Sequence, residues 1–189
     1  VAAEYRRGLA RLNLDGEMPK MILWLGSSIG NFERYEAVDF VTQIVDNSHS
    51  CDFFLFGIDL AKDARTLEAA YDDSRGVTAA LNMNLLHRIN RELSGHFNPD
   101  TFRHKAVYNE EAGRVEMHLE SLREQIVAID DLELDVHFRR GETIHTENSY
   151  KYTTGQIRDF ADQSGMKLVE QWLDSKKQFS LNLFQQKSL

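Results

Sequence analysis

Met21-Ile22-Leu23-Trp24-Leu25-Gly26-Ser27-Ser28-Ile29-Gly30-Asn31-Phe32 is the stretch on which the fold turns. An unbroken apolar run stops at a glycine. Such a run, bounded by turn signals, predicts a strand buried on both faces, the kind that parallel sheets use. A second run, Phe53-Phe54-Leu55-Phe56-Gly57-Ile58, stops at Asp59. Between them, Ala37, Val38, Val41, Ile44 and Val45 recur at helical spacing and predict an amphipathic helix over Tyr35–Val45. Strand, helix and strand at this length make one βαβ unit. Upstream, Arg6–Leu12 reads as a short helix and Asn13–Lys20 as a polar loop containing Asp15-Gly16 and Pro19.

Downstream the period changes. Val77, Leu81, Leu85, Ile89 and Leu93 form one helical row within a segment, Leu67–Leu93, that Asp72-Asp73-Ser74-Arg75-Gly76 divides into two helices, with a cap before the second. Val115, Met117 and Leu119 then alternate with polar residues, as do Leu132, Leu134, Val136 and Phe138. That alternation predicts half-buried antiparallel strands, with turns at Asn109–Gly113 and Arg139–Glu142. The tail reverts to helix over Thr154–Gln163, stopped by Ser164-Gly165, then strands over Met166–Trp172 and Phe179–Phe184 around a polar turn at Asp174–Lys177. The fold class is therefore α/β in three parts: residues 1–60, an α+β insert over 61–151, and a returning helix and strands over 152–189.

The composition narrows the function. A chain of 189 residues that is 42% hydrophobic and 28% charged is not a disordered one. A net charge of −8 argues against a broad grip on nucleic acid or anionic lipid, which needs a basic face. No apolar run approaches the roughly 20 residues of a membrane span. The lone Cys51 rules out a disulfide framework or multi-cysteine metal site and fits a cytoplasmic protein. The start at Val1, with no signal-peptide pattern, suggests part of a longer chain. None of the seven histidines pairs at metal-ligand spacing, so no metal is expected and the histidines read as surface residues. Neither a Gly-x-Ser-x-Gly elbow, a P-loop nor a dinucleotide fingerprint occurs.

Three motifs carry chemistry. Gly26–Phe32 follows a strand and precedes a helix, where open α/β sheets take ligands. Its glycines permit close backbone approach, and Asn31 offers both donor and acceptor to a zwitterion. An ordinary β–α turn with a capping Asn has the same pattern. Tyr71-Asp72-Asp73 ends a helix, where a tyrosine hydroxyl can meet a ligand carboxylate or simply be half-buried beside an acidic cap. In Thr146-Glu147-Asn148-Ser149-Tyr150-Lys151-Tyr152, Glu147 and Ser149 are two apart and share a face if extended. A carboxylate and a hydroxyl so placed suit the two nitrogens of an imidazole, or are surface polars on a strand edge.

Together with Gly57-Ile58-Asp59-Leu60-Ala61-Lys62-Asp63, Ser74-Arg75-Gly76-Val77-Thr78 and Asn90-Arg91-Glu92-Leu93, these motifs resemble the histidine-specific methyltransferases, typified by the histidine Nα-methyltransferase of ergothioneine biosynthesis. A sister branch methylates dimethylallyltryptophan. The resemblance spans nearly the whole chain. It implies an S-adenosylmethionine-dependent enzyme with a Rossmann-like class I methyltransferase domain and an inserted α+β domain that closes over a small amino-acid substrate. It implies substrate roles for Asn31 at the carboxylate and α-amine, the Gly26 backbone at the amine, Tyr71 at the carboxylate, Glu147 and Ser149 at the imidazole, and Thr78 through water. Glu4 and Tyr5 would contact the cofactor's adenine. No residue of this sequence stands out as a strong catalytic base, which leaves water or a tyrosine hydroxyl as the proton relay. Family members also carry a longer N-terminal region with an acidic-x-Gly-x-Gly loop for the cofactor; this sequence lacks that half of the fold. The missing strands imply an exposed sheet edge, weak cofactor binding and little turnover by this chain alone. An indole amino-acid N-methyltransferase and a non-catalytic remnant are the competing readings.

Overall fold

The computed structural model describes residues 18–187. Glu4, Tyr5 and the helix expected over Arg6–Leu12 lie outside the described residues. The chain divides into two compact units, one built from the described residues up to Lys62 together with those from Ser149 onward, the other from Asp63–Asn148.

The first unit is a four-stranded sheet in the order β1-β2-β9-β8, comprising β1 (Met21–Trp24), β2 (Phe53–Asp59), β8 (Met166–Leu173) and β9 (Phe179–Gln186). β1 pairs with β2 in parallel, Met21 opposite Phe53 and Trp24 opposite Phe56. The β8–β9 hairpin continues the sheet antiparallel to β2. Two helices, α1 (Arg34–Asp46) and α4 (Thr154–Gln163), supply Phe40, Val41, Ile44, Ile157, Phe160 and Ala161 to a core shared with Phe54, Phe56, Ile58 and Phe184. Both helices begin with reciprocal capping boxes, Glu33 with Glu36 and Thr153 with Gln156, which satisfy first-turn amides that otherwise lack partners. Each fully buried phenylalanine contributes about 1.5–3 kcal/mol by transfer from water.

β1 departs from the expectation of burial on both faces. Ile22 and Trp24 pack against the core, whereas Met21 is 57% and Leu23 55% exposed. Trp172 and Leu181, neighbours across the β8–β9 hairpin, are also exposed. The helices of this unit contribute to one layer only, and no strand among the described residues pairs with the outer edge of β1. The apolar run specifies a strand that can be covered on both sides; the described residues cover one.

The second unit contains α2 (Ala64–Tyr71), α3 (Val77–Glu92) and strands β3 (Phe102–Asn109), β4 (Arg114–Ser121), β5 (Gln125–Ile129), β6 (Leu134–Phe138) and most of β7 (Thr143–Tyr150). Its sheets are β3-β4-β7 and the β5–β6 ribbon. Leu86, Phe97, Phe102, Leu119, Val127, Ile129 and Phe138 form a core of their own. The expected apolar row on α3 is not the buried one at its start: Val77 and Leu81 are exposed, and Asn82 and Leu86 are buried. Asn82 turns that face inward by donating to the His118 carbonyl at 3.1 Å and to His104 Nδ1 at 3.0 Å. No helix among the described residues is long and apolar enough to cross a membrane.

Candidate functional site

In the first unit the chain leaves β1 through two left-handed residues, Gly26 at φ 77° and Ser27 at φ 59°. The first suits glycine; the second costs a serine some strain. Ser27 is held by its side chain, whose Oγ accepts from the Asp59 amide at 2.8 Å and ties the turn to the carboxyl end of β2. A short 3-10 turn over Ser28–Asn31 follows, with Gly30 N donating to Ser27 O at 2.9 Å. No atom of the described residues lies within 4 Å of where a Cβ on Gly26 would stand. Gly30 is the opposite case. A Cβ there would sit 2.7 Å from the Tyr150 carbonyl oxygen and 3.6 Å from Ser149 Oγ. The Gly26–Phe32 turn and the end of β7 thus meet closely at Gly30, the neighbour of Asn31, beside Ser149.

The end of β7 is fastened from several sides. The Tyr150 hydroxyl donates to Glu33, the first cap of α1. Arg34 lies over the rings of Tyr150 and Tyr152, at 5.2 Å and 4.8 Å, and donates to the Lys151 carbonyl at 3.2 Å. Lys151 itself is buried; its ammonium meets Ser149 Oγ and Asp59 Oδ2, both at 2.9 Å. Neither Lys151 nor Asp59 was singled out from the sequence. A lysine reads there as a solvated charge, yet Lys151 follows Glu147 and Ser149 at the same two-residue interval, and that alternation was the available signal.

The remaining candidates belong to the second unit. Tyr71 ends α2, and Thr78 lies in the first turn of α3. The Tyr71 carbonyl accepts from His104 Nε2 at 2.8 Å. With Asn82 at the other ring nitrogen, His104 links the end of α2 to α3. Thr78 is placed by Asp73, whose carboxylate accepts from the amides of Thr78 at 2.9 Å and Val77 at 3.2 Å. Those amides, Thr78 first, hold the Asp73 carboxyl down at about 2. Asp73 therefore adds stability that is complete above the ordinary carboxylate value near 4 and fades as pH falls through about 2. Asp73→Ala is expected to lower the urea midpoint at neutral pH, with the deficit narrowing by pH ~3. A deficit of equal size at both pH values would mean that the amide bonds are not its cause. Glu147 is half-buried on β7, two residues before Ser149.

Strand pairing also gathers residues whose sequence spacing gave no sign of it. Glu116 and His118 on β4 and His145 on β7 bring their donor atoms within 4.8 Å of one another. The His118 ring stacks on His145 at 4.7 Å, and Arg114 holds Glu116 at 2.8 Å. His118 is not the surface residue that alternation suggested: its side chain is 15% exposed, and burial, followed by the neighbouring His145, pushes its imidazole below the ordinary histidine value.

A parallel strand pair opening into a ligand-accessible turn, continued by an antiparallel hairpin, is the class I methyltransferase architecture. The chain aligns over its full length with 64% of an S-adenosylmethionine-dependent methyltransferase from Clostridium acetobutylicum, at a TM-score of 0.50 and 8% identity. It belongs to the histidine-specific, S-adenosylmethionine-dependent methyltransferases, whose family model matches residues 1–186. It is 37% identical over 164 residues to the histidine N-alpha-methyltransferase of Mycolicibacterium smegmatis, covering 87% of this chain and 51% of that protein. To the enzyme of the same name from Mycobacterium tuberculosis it is 35% identical, covering 97% and 56%. An L-tryptophan methyltransferase from Psilocybe serbica is 32% identical, over 90% and 48%. The chain spans about half the length of the curated relatives it matches.

Proposed function

We propose that this chain is the substrate-holding part of an S-adenosylmethionine-dependent N-methyltransferase that acts on the α-amine of L-histidine, on the route through hercynine to ergothioneine. The backbone contact of Gly30 with Tyr150, which sets Ser149 beside the Asn31 turn, is the observation that best supports it. In this reading Asn31 and Tyr71 hold the amino-acid end, the Gly26 backbone approaches the amine, Glu147 and Ser149 take the two imidazole nitrogens, and Thr78 assists through water. No side chain is assigned as catalytic base; water or a tyrosine hydroxyl relays the proton that the amine must lose before it is a nucleophile. The partner is a small molecule rather than nucleic acid or membrane, and the setting is cytoplasmic.

Gly26, at the carboxyl end of β1, has none of the described residues within 4 Å of its Cβ position, which fits a ligand binding where α/β sheets take them. When bound, S-adenosylmethionine supplies an electrophilic methyl group on a sulfonium sulfur. Glu4 and Tyr5, proposed against its adenine, lie outside the described residues. These 189 residues carry no acidic-x-Gly-x-Gly loop, so a preparation of them alone is expected to bind the methyl donor weakly and turn over little. The protein's own contribution is to orient the amine and exclude water around it.

The similarity to a tryptophan methyltransferase keeps an indole amino acid as a second reading. An indole has one N–H and no ring acceptor, so it leaves one of the Glu147 and Ser149 pair unmatched. The test is labelled-methyl transfer by the protein as its gene encodes it, with histidine and tryptophan in competition. Transfer to histidine is expected. Transfer to tryptophan alone establishes the second reading, and transfer to neither leaves a non-catalytic remnant.

A further inference from the structure

In the second unit, Glu116 and His118 are two apart on β4 and share a face. His145 reaches them from β7, and the donor atoms of all three lie within 4.8 Å of one another. Glu116 is anchored through one oxygen. Its Oε1 accepts from Arg114 Nε at 2.8 Å and from Asn109 Nδ2 at 3.1 Å. Its Oε2 stands 3.4 Å from His118 Nε2. A charge-assisted hydrogen bond between such groups closes to about 2.7–2.9 Å. Two ligands held about 2.0–2.1 Å from one tetrahedral ion stand about 3.3–3.4 Å apart, which is the spacing found here. The His118 ring serves no structural hydrogen bond on its other side, because Nδ1 is buried without a hydrogen-bond partner. Pushed below the ordinary histidine value by burial and by His145, that ring is neutral at neutral pH, the form that ligates metals. His145 is exposed, with Nε2 at 2.7 Å from Asn148 Oδ1, the kind of oxygen backing that metal-bound histidines use.

We propose that Glu116, His118 and His145 form a binding site for one divalent transition-metal ion of the Zn²⁺ type, with water in the fourth position. Two imidazoles and one carboxylate are the donor set of three-ligand zinc centres. A single carboxylate offers too few oxygens for Ca²⁺ or Mg²⁺. Lys105, opposite His118 on β3, and Arg114 disfavour a cation held by charge alone, so the rings carry the selectivity. His145 is the member that moves. Its ring stacks on His118 at 4.7 Å, and stacked rings do not aim their lone pairs at one point, so it swings out of the stack to close the site. Its exposure makes that swing cheap. The absence of metal-ligand spacing along the chain does not bear on a set assembled across two strands. The ion fastens β4 to β7 beside their backbone pairing, and the site is independent of the histidine reading.

The test is calorimetric titration of Zn²⁺, in a buffer that does not chelate it and without L-histidine, into the chelator-treated protein as its gene encodes it. The variants are His145→Ala, Glu116→Gln and, as a control outside the cluster on β6, His137→Ala. The parent is expected to show a saturable phase of one Zn²⁺ per chain. His145→Ala and Glu116→Gln are each expected to weaken that phase about a hundredfold or more, beyond what loss of a residue behind a ligand brings. His137→Ala leaves it within about threefold. Co²⁺ in place of Zn²⁺ is expected to give the parent the strong visible absorption of a four-coordinate centre, and His145→Ala to lose it. Thermal melts of the metal-free proteins confirm that the variants fold. A parent without the one-to-one phase overturns the inference. So does a phase that His145→Ala and Glu116→Gln leave within about threefold of the parent, since the ion then sits elsewhere.

Discussion

Glu147→Ala, in the protein as its gene encodes it, is expected to raise the Kd for L-histidine about a hundredfold, because a charge-assisted hydrogen bond worth about 1.5–3 kcal/mol is lost and a ring N–H is left unpaired in its place. Glu147 shares a strand face with Ser149, two residues on along β7. Glu147→Gln keeps an acceptor and loses the charge, and is expected to fall between the two, at about tenfold. Calorimetry reads both, with a thermal melt confirming that the fold is unchanged. Histidine binding by Glu147→Ala within about threefold of the parent would remove Glu147 from the site.

Gly30→Ala is expected to act on stability and on the site at once. The new methyl would stand 2.7 Å from the Tyr150 carbonyl oxygen. That partner is backbone, not the swinging end of a long side chain, so relief requires the 3-10 turn or the end of β7 to move. Overpacking of this kind costs about 1–3 kcal/mol, which for a chain of this size lowers Tm by roughly 2–12 °C. Displacing β7 here also moves Ser149, and the Kd for histidine is expected to rise by at least about tenfold. Gly26→Ala is the contrast: its Cβ meets none of the described residues within 4 Å, but φ of 77° makes any side chain there strained. A Gly30→Ala protein with unchanged Tm and histidine affinity would show that the turn and strand are not locked together.

Elements whose signals are local were legible in the sequence. Helix α4 begins and ends where its capping box and the Ser164-Gly165 stop place it, because both signals act within a turn of the boundary. β1 and β2 stood out as apolar runs bounded by glycine and aspartate. β3 did not: its alternate positions carry Phe102, His104, Ala106 and Tyr108, and the inward role of His104 depends on Asn82 and Tyr71. The exposed start of α3 was missed for a related reason. A buried asparagine with two partners outranked a row of apolar residues. Lys151 was hidden because its partner Asp59 lies across a whole intervening unit of sequence. No window that treats lysine as a solvated charge finds a contact of that range. The motifs were thus readable in the sequence, while the long-range contacts of Asp59, His104 and Lys151 were not.

The chain crosses between its two units at neighbouring points. Leu60 bridges to Tyr152 in parallel, the Ala61 amide donates to the Tyr152 carbonyl at 3.0 Å, and the Tyr152 amide donates to the Asp59 carbonyl at 3.3 Å. In genetic terms the intervening stretch is a cassette whose two ends are already stitched together by the sheet that hosts it. Exchanging it asks the host for little more than the closure of a loop that is already closed. Exchange at the unit boundaries, after Lys62 and before Ser149, transfers Tyr71, Thr78 and Glu147 as one parcel and leaves Gly26, Asn31, Ser149 and Lys151 behind. Two crossovers there exchange the whole second unit, with the host sheet and the capping boxes of its helices inherited intact.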